Sequence, residues 1–229
     1  MKYKLFLFVV FLSCFFWAAY EPLYPHDWLL ENYLVFGFLP FILITGRYFR
    51  LSNISYTLIT LFLCLHMVGS HYTYSEVPFG RTLGDWLGSD RNMYDRLVHF
   101  SFGLLLAYPV REVFVRVAKV KGFWGYFFPV DLTFALSSIY ELIEWRTALG
   151  VPAELGLSFL GSQGDVWDAQ KDMGIAGLGA MITMLIVFLI HVKYDKSVWR
   201  ELIDSLKPGA NDAPLGEVEL QALIKNSEA

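Results

Sequence analysis

The chain alternates between long apolar runs and short polar segments. A helix that crosses a bilayer needs about 20 mostly apolar residues, and six segments meet that requirement within a few residues at each end. Tyr and Trp cluster near the segment ends, as interfacial anchors do. The pattern therefore predicts an all-α, polytopic membrane bundle with about six transmembrane helices, which are Tyr3–Tyr20, Leu29–Gly46, Ile54–Tyr72, Leu97–Val117, Trp124–Trp145 and Met173–Val192.

The first two segments are less regular than the others. The first resembles a signal peptide, but its bulky, aromatic end up to Tyr20 lacks the small residues of a cleavage site. We interpret it as a retained first span. The second segment is the weakest prediction, because Glu31 and Pro40 interrupt it.

The distribution of basic residues predicts the orientation of the bundle. Cytoplasmic loops of membrane proteins carry an excess of Lys and Arg. With both termini cytoplasmic, the outer segments hold only Arg81, Arg91, Arg96, Arg146 and Lys171 of the 18 basic residues. All the others fall on the cytoplasmic side, namely Lys2, Lys4, Arg47, Arg50, Arg111, Arg116, Lys119, Lys121, Lys193, Lys196, Arg200, Lys207 and Lys225.

The domain organisation follows from the same pattern. Residues 1–193 are predicted to form the transmembrane bundle, and residues 194–229 a cytoplasmic tail. Within the tail, Ser197–Leu206 and Leu215–Lys225 have the composition of short helices on either side of a Pro208-Gly209 break.

Composition supports the membrane assignment. The chain is 55% hydrophobic and 17% charged, with a mean hydropathy of +0.45, whereas soluble domains carry about 25% charged residues. A net charge of -4 without a basic run gives no indication of nucleic-acid binding. Membrane lipids are therefore the expected partners. Cys14 and Cys64 lie inside apolar runs and are interpreted as small apolar residues.

Most acids and histidines fall at the predicted outer ends of the third to sixth spans, and up-down packing would bring those ends to one face. Asp95 and His99 are one helical turn apart, and so are Glu141 and Glu144. If the last span begins early, near Gly164, its acids follow a stripe on one helix side. We therefore expect one site, with catalytic candidates Asp95, His99, Glu141, Glu144, Asp168 and Asp172 and metal-ligand candidates His71, His99, Glu141, Asp165 and Asp168.

Carboxylates and imidazoles near hydrocarbon are costly and commonly mark a site. Together they bind divalent cations, or act as an acid and a base. Simpler interpretations also apply. Asp165 fits a solvated acid at a helix start, Glu144 fits a partner of Arg146 or Arg96, and His66 fits a buried core histidine. A divalent metal ion is the one cofactor that these residues suggest.

The long outer loops are a second notable feature. Ser70–Asn92 and Thr147–Gly164 are rich in aromatic or apolar residues. Loops of this length are often functional, and the first is predicted to form an ordered lid over the same face.

Three segments carry a resemblance to a known family. The runs Gly69–Tyr74, Tyr94–Phe100 and Gly164–Met173 resemble the YjdF family of bacterial inner-membrane proteins, which has no established activity. The resemblance extends to about Lys193 and implies a multi-pass protein of the bacterial inner membrane.

A weaker resemblance is to VanZ-like proteins, which are linked to glycopeptide-antibiotic resistance. It rests on Asp95–Phe100, on Glu141 with Glu144, and on Asp168 with Asp172 ahead of a Gly-rich helix. Glu144 stands where that family has Gln, and Asp172 where Asn is usual. The resemblance implies a shared architecture and site, and supplies no reaction.

Three functional classes remain open at this point. The first is a membrane-embedded enzyme, metal-assisted or not, acting on a lipid or lipid-linked substrate. The second is a structural or partner-binding membrane protein. The third is a small proton-coupled transporter, which would normally show repeats or broken helices; the sequence has no visible repeat.

Overall fold

The computed structural model describes residues 2–208 and 215–227, and every regular element in those ranges is helical. The α-helices are α1 Lys2–Ala19, α2 Pro25–Tyr48, α3 Asn53–Tyr72, α4 Pro78–Leu87, α5 Tyr94–Arg116, α6 Trp124–Ala148, α7 Ala153–Leu160, α8 Asp168–Tyr194, α9 Val198–Asp204 and α10 Leu215–Ser227, with a 3-10 turn at Tyr74–Glu76.

The predicted polytopic helical bundle is confirmed. Each of the six predicted spans corresponds to a helix of 18 residues or more. Five of them, α1, α2, α3, α5 and α8, are long and apolar enough to cross a membrane. The sixth, α6, is similarly long and carries Asp131, Glu141 and Glu144. Helix α2 begins earlier than predicted, at Pro25, because proline already has the φ angle of a first helical residue.

The long helices run up and down, so that the bundle has two chemically different ends. The start of α1 meets the start of α3 through a hydrogen bond from Lys4 to the Leu51 carbonyl. At the other end, the Leu23 N–H donates to the His71 carbonyl. We call the end at which α5 and α8 begin the polar end. The opposite end, with Arg111 and Lys121, is the basic end.

Helix α5 is the centre of the bundle and packs against α3, α6 and α8. Its contact with α8 is unusually close. A Cβ atom on Gly103 would lie 1.8 Å from the Ala176 carbonyl oxygen, and one on Gly179 would lie 2.3 Å from that of Phe100. The Thr183 hydroxyl donates to the Leu104 carbonyl across the same contact, at 2.6 Å. Small residues of this kind allow membrane helices to approach closely, and here they hold the starts of α5 and α8 side by side.

The two long segments at the polar end are ordered and largely helical. The first contains the 3-10 turn and α4, and the second contains α7. The segments are bonded to each other, because the Asn92 N–H donates to the Gln163 side chain at 2.9 Å and Gln163 donates back to the Asn92 carbonyl at 3.1 Å.

The beginning of α8 differs from the sequence prediction. The helix starts at Asp168 rather than near Gly164. Gln163 and Gly164 both have positive φ angles, of 49° and 84°, which end any helical run at that point. Asp165 therefore lies in the turn before the helix, and the predicted stripe of three acids on one helix side is wrong at that position.

The tail begins with α9, which packs on the basic end. Trp199 contacts Phe188 of α8 with ring centroids 5.1 Å apart, and the Trp124 indole donates to the Ser205 carbonyl at 2.9 Å. Both predicted tail helices are present as α9 and α10. Gly209 of the predicted break lies outside the described residues.

Candidate functional site

The polar end holds a buried group of ionisable side chains from three helices, and we call it the polar cluster. Helices α5 and α8 both begin here, so their first two turns lie side by side. The structure brings together residues of the predicted site: His99 Nε2 lies 3.7 Å from Glu141 Oε1, and one ring nitrogen of His99 lies within 4.8 Å of an Asp172 oxygen. The cluster consists of Asp95, Arg96 and His99 of α5, Glu141 of α6, and Asp168 and Asp172 of α8.

Arg96 is the main cation of the cluster. Its guanidinium pairs with Asp168 at 2.6 Å and also contacts Asp172. Its Nη1 also donates to the Asp168 carbonyl at 3.1 Å. Arginine presents several donors in a fixed plane, which suits bonds to more than one carboxylate. Arg96 therefore ties the start of α5 to the start of α8.

Arg91 is a second cation, which the sequence analysis placed in an outer segment but did not assign to the site. It precedes α5 and pairs with Asp168 at 2.6 Å and with Asp95 at 3.6 Å. It also donates to the carbonyls of Ser162 and Gly161. Arg91 stands four residues before Asp95 in the sequence, and this spacing could have indicated that the two side chains form an ion pair. Its contact with Asp168 depends on how the two loops fold.

Three members of the cluster are arranged as metal ligands could be. Asp95, His99 and Asp172 each offer one ligand atom, and these atoms all lie within 4.8 Å of one another. Ligand atoms around one divalent ion lie about 3 to 4.5 Å apart, given metal–ligand bonds near 2.1 Å. The upper limit of 4.8 Å on the three separations is close to that range. His99 and Asp172 are buried, and Asp95 is largely so.

Two oxygen atoms near this group have no hydrogen-bond partner among the described residues. They are Glu141 Oε1 and Asp172 Oδ1, and both are shielded from solvent. Buried polar atoms are nearly always bonded in folded proteins, so each exception calls for an explanation such as an ion or a water. Glu141 contacts His99, and Asp172 belongs with His99 to the group of possible metal ligands.

Glu144 lies one turn beyond Glu141 and is half-buried. Within the described ranges it makes no ion pair with Arg146 or Arg96, the two partners that the sequence suggested. It therefore adds a second carboxyl group to the Glu141 side of the cluster, with no ion pair to a basic residue among the described residues.

Asp165 belongs to the periphery. It is bonded to Lys171 at 2.7 Å and to Arg96 at 3.3 Å. The hydrogen bond from Lys171 lowers the pKa of the Asp165 carboxyl below its ordinary value. This pairing leaves Asp165 as a surface partner of two bases, whereas the sequence grouped it with the metal ligands.

His71 was predicted to be a metal ligand, but in the structure it contacts residues of α1. Its Nδ1 donates to the Ala18 carbonyl at 3.2 Å, and its ring lies 4.5 Å from that of Trp17. The cause is the packing of α3 against α1, which turns the end of α3 toward the first helix. The group of ligand atoms described above accordingly does not include His71.

Helix α2 contributes buried acids that the sequence analysis treated as an interruption. Asp27 and Glu31 are 1% and 4% exposed. The Tyr140 hydroxyl donates to Glu31 at 3.4 Å, and the Tyr140 ring lies 5.8 Å from that of His99. An acid inside an apolar span is by itself a sign of a site, and that signal was available at Glu31.

His66 has the environment of a core histidine. It is buried and hydrogen-bonded to the hydroxyl of Tyr74, a residue of the 3-10 turn. The bond joins the middle of the bundle to the first outer segment, which in turn positions Arg91. In that segment α4 packs so closely that a Cβ on Gly84 would lie 2.3 Å from the Arg91 carbonyl oxygen.

Comparisons with known proteins agree with this architecture. The family model described as "Predicted membrane protein (DUF2238)" matches residues 3–193. The chain is 41% identical over 178 residues to inner membrane protein YjdF of Escherichia coli (strain K12), which covers 76% of this chain and 85% of that relative. No solved structure gives a significant match. The resemblance to the YjdF family is confirmed, and that to VanZ-like proteins stays a prediction.

These matches and the apolar helices identify a multi-pass protein of the bacterial inner membrane. The chain belongs to the DUF2238 family of predicted membrane proteins, with inner membrane protein YjdF as a relative.

Proposed function

We propose that this inner-membrane protein is a membrane-embedded enzyme that uses a divalent cation to act on a lipid or lipid-linked substrate. The observation that carries the proposal is the group formed by Asp95, His99 and Asp172, whose ligand atoms lie within 4.8 Å of one another at the start of α5 and α8. Two carboxylates and one imidazole are a donor set that suits several divalent ions.

The balance of charge supports a cation at this position. Arg91 is directed mainly at Asp168, Arg96 is shared between Asp168 and Asp172, and Lys171 is bonded to Asp165. On the other side of the cluster, the ion-pair contacts of Asp95 with described residues are 3.6 Å long, and among those residues one oxygen each of Glu141 and Asp172 has no hydrogen-bond partner. Buried carboxylates repel each other unless a cation or a shared proton compensates them.

The chemistry that this arrangement suits is metal-assisted transfer or hydrolysis. A bound cation would polarise a phosphoryl or carbonyl oxygen of the substrate. Glu141, 3.7 Å from His99 and outside the ligand group, is placed to accept or donate a proton. The cluster lies at helix ends, which is the depth at which the headgroup of a membrane-bound substrate lies while its chains stay in lipid.

The proposal predicts stoichiometric metal binding by the purified, full-length protein. After treatment with a chelator and dialysis, Mn²⁺ or Zn²⁺ should bind at about one ion per chain and raise the melting temperature by mass action. Asp95→Asn and His99→Gln each remove a ligand and should lower the affinity at least about tenfold. Elemental analysis and melting curves measure both effects.

Asp90→Asn is the matched control. Asp90 is an exposed acid at the same end of the bundle. Its backbone carbonyl accepts a hydrogen bond from Arg81. The Asp90→Asn variant should bind metal with the affinity of the wild type. If the wild type binds neither ion at millimolar concentration, or if Asp95→Asn binds as tightly as the control, the metal site does not exist.

A second candidate function is structural, and a specific observation favours it. Arg91 and Arg96 join both outer segments to α8 through Asp165 and Asp168. Such a network would hold the polar end rigid for a protein partner. In this case, metal would have no effect on stability, and loss of any cluster carboxylate would weaken the fold.

A further inference from the structure

A cavity of about 710 Å³ lies at the basic end, on the opposite side of the bundle from the polar cluster. It is enclosed by the end of α5, the loop to α6, the start of α6, the end of α8 and α9. Its lining includes Arg111, Lys119, Lys121, Tyr126, His191 and Tyr194. Basic and aromatic side chains thus converge on one concave space at the end of the membrane-spanning helices.

Arg111 is the central group of the cavity. It lies five residues before the end of α5 and makes no ion pair in the described part of the chain. Its Nε is buried without a hydrogen-bond partner. Its guanidinium lies over the ring of Tyr126 at 4.9 Å, and the Tyr126 hydroxyl is bonded to His191 at 2.7 Å. The aromatic contact orients the guanidinium, and its Nε remains without a hydrogen-bond partner among the described residues.

The two acids that line the cavity, Glu201 and Asp195, each accept a backbone hydrogen bond. One oxygen of Glu201 accepts from the Gly122 N–H at 3.3 Å, and Asp195 accepts from the Ser197 N–H at 2.8 Å. Neither forms an ion pair with Arg111, Lys119 or Lys121 in the ranges that the structure describes. The three basic side chains therefore have no carboxylate ion-pair partner among the described residues.

The loop between α5 and α6 is shaped to close over this space. Gly122 has a φ angle of 57°, and a Cβ on it would lie 2.3 Å from the Ser205 hydroxyl oxygen. The Ser205 hydroxyl in turn accepts from the Phe123 N–H at 2.9 Å. These contacts hold α9 against the loop and so form one wall of the cavity.

We propose that this cavity binds the phosphate of an anionic headgroup, with Arg111 as the principal contact and Lys119 and Lys121 at the entrance. Arginine is well suited to phosphate, and basic pockets between membrane helices on the cytoplasmic side bind anionic lipid headgroups. The basic end is the predicted cytoplasmic side. Trp124 and Trp199 are exposed nearby, as interfacial residues are.

The test uses the purified, delipidated full-length protein and native mass spectrometry. The probes are phosphatidylglycerol, phosphatidylcholine with the same acyl chains, and soluble glycerol phosphate. The wild type should bind phosphatidylglycerol more tightly than phosphatidylcholine, and Arg111→Gln should weaken phosphatidylglycerol binding by about tenfold, which is the loss of one charge-assisted contact. Glycerol phosphate binding that equals the lipid and is lost in the same variant would support the phosphate site and assign it a soluble source.

Two further variants make the result decisive. Lys121→Gln, on the exposed loop, should give a smaller loss without affecting the bundle, and so tests the site if Arg111→Gln does not fold. Arg200→Gln removes an exposed charge of α9 that does not line the cavity, and should bind as the wild type does. The proposal is overturned if both lipids bind equally to the wild type, or if all three variants lose the same affinity.

Discussion

At the scale of the residue, Glu141 separates the catalytic from the structural interpretation of the polar cluster. It is close to His99, one of its oxygens has no partner, and it makes no contact with Arg91 or Arg96 within the ion-pair distances of the described residues. The neighbouring carboxylates of the polar cluster therefore repel the charge of Glu141, and neither arginine balances it.

The variant Glu141→Gln keeps the shape of the side chain and removes its charge. If the cluster exists for function, the melting temperature of the purified protein should stay equal or rise, because repulsion with neighbouring carboxylates is lost. If Glu141 is part of a structural network, the variant should lose stability, by about 3–5 kcal/mol for a broken buried pair. Melting curves with and without a chelator measure the difference.

The control for this variant is Glu219→Gln, an exposed acid on α10, which should melt as the wild type does. A marked loss of stability in Glu141→Gln, together with no chelator effect on the wild type, would contradict the catalytic interpretation.

At the scale of the element, the close contact between α5 and α8 places Asp95 and His99 opposite Asp172. The contact needs residues without a Cβ at Gly103 and Gly179, since backbone atoms of the facing helix occupy that space. The residues of the Arg96 ion pairs lie about two to three helical turns from these glycines, so the separation of the helices determines the lengths of those pairs.

We therefore expect Gly103→Ala to force the two helices apart and to destabilise the protein by about 1–3 kcal/mol, the usual cost of overpacking. It should also weaken metal binding at the polar end, because the ligand atoms come from both helices. Gly174→Ala is the matched control on α8, where an added Cβ meets nothing within 4 Å. Equal stability of the two variants, measured by thermal unfolding in detergent, would show that the close contact is not required.

At the scale of the whole molecule, the bundle separates two chemistries across the membrane. Carboxylates and His99 collect at the polar end, and most Lys and Arg residues lie at or near the basic end. The rule that cytoplasmic loops are rich in Lys and Arg predicts the orientation: the basic end faces the cytoplasm and the polar end faces outward.

Reporter fusions test this orientation. A fusion after Lys119, in the loop between α5 and α6, should be active only with a cytoplasmic reporter. A fusion after Gly156, in α7, should be active only with an external one. The two sites are separated by α6, so finding both on the same side of the membrane would show that α6 does not span it.

The positions of the helices were determined by the sequence alone. In lipid, the backbone must satisfy its hydrogen bonds within each segment, so an apolar run of the right length forms a helix whatever its neighbours are. This is why α3, α5 and α8 appear within a few residues of the predicted spans. The one-turn spacing of Asp95 and His99 was likewise a local property of one helix.

The tertiary structure alone decided which of these side chains meet. Arg91 reaches Asp168 because two loops fold against each other, and His71 faces Trp17 because α3 packs on α1. Glu31 is buried near Tyr140. The sequence of its own helix had indicated only an apolar span that Glu31 interrupts. Periodicity assigns a residue to one face of its own helix. The neighbour that covers that face depends on helix packing, which a single sequence does not encode locally.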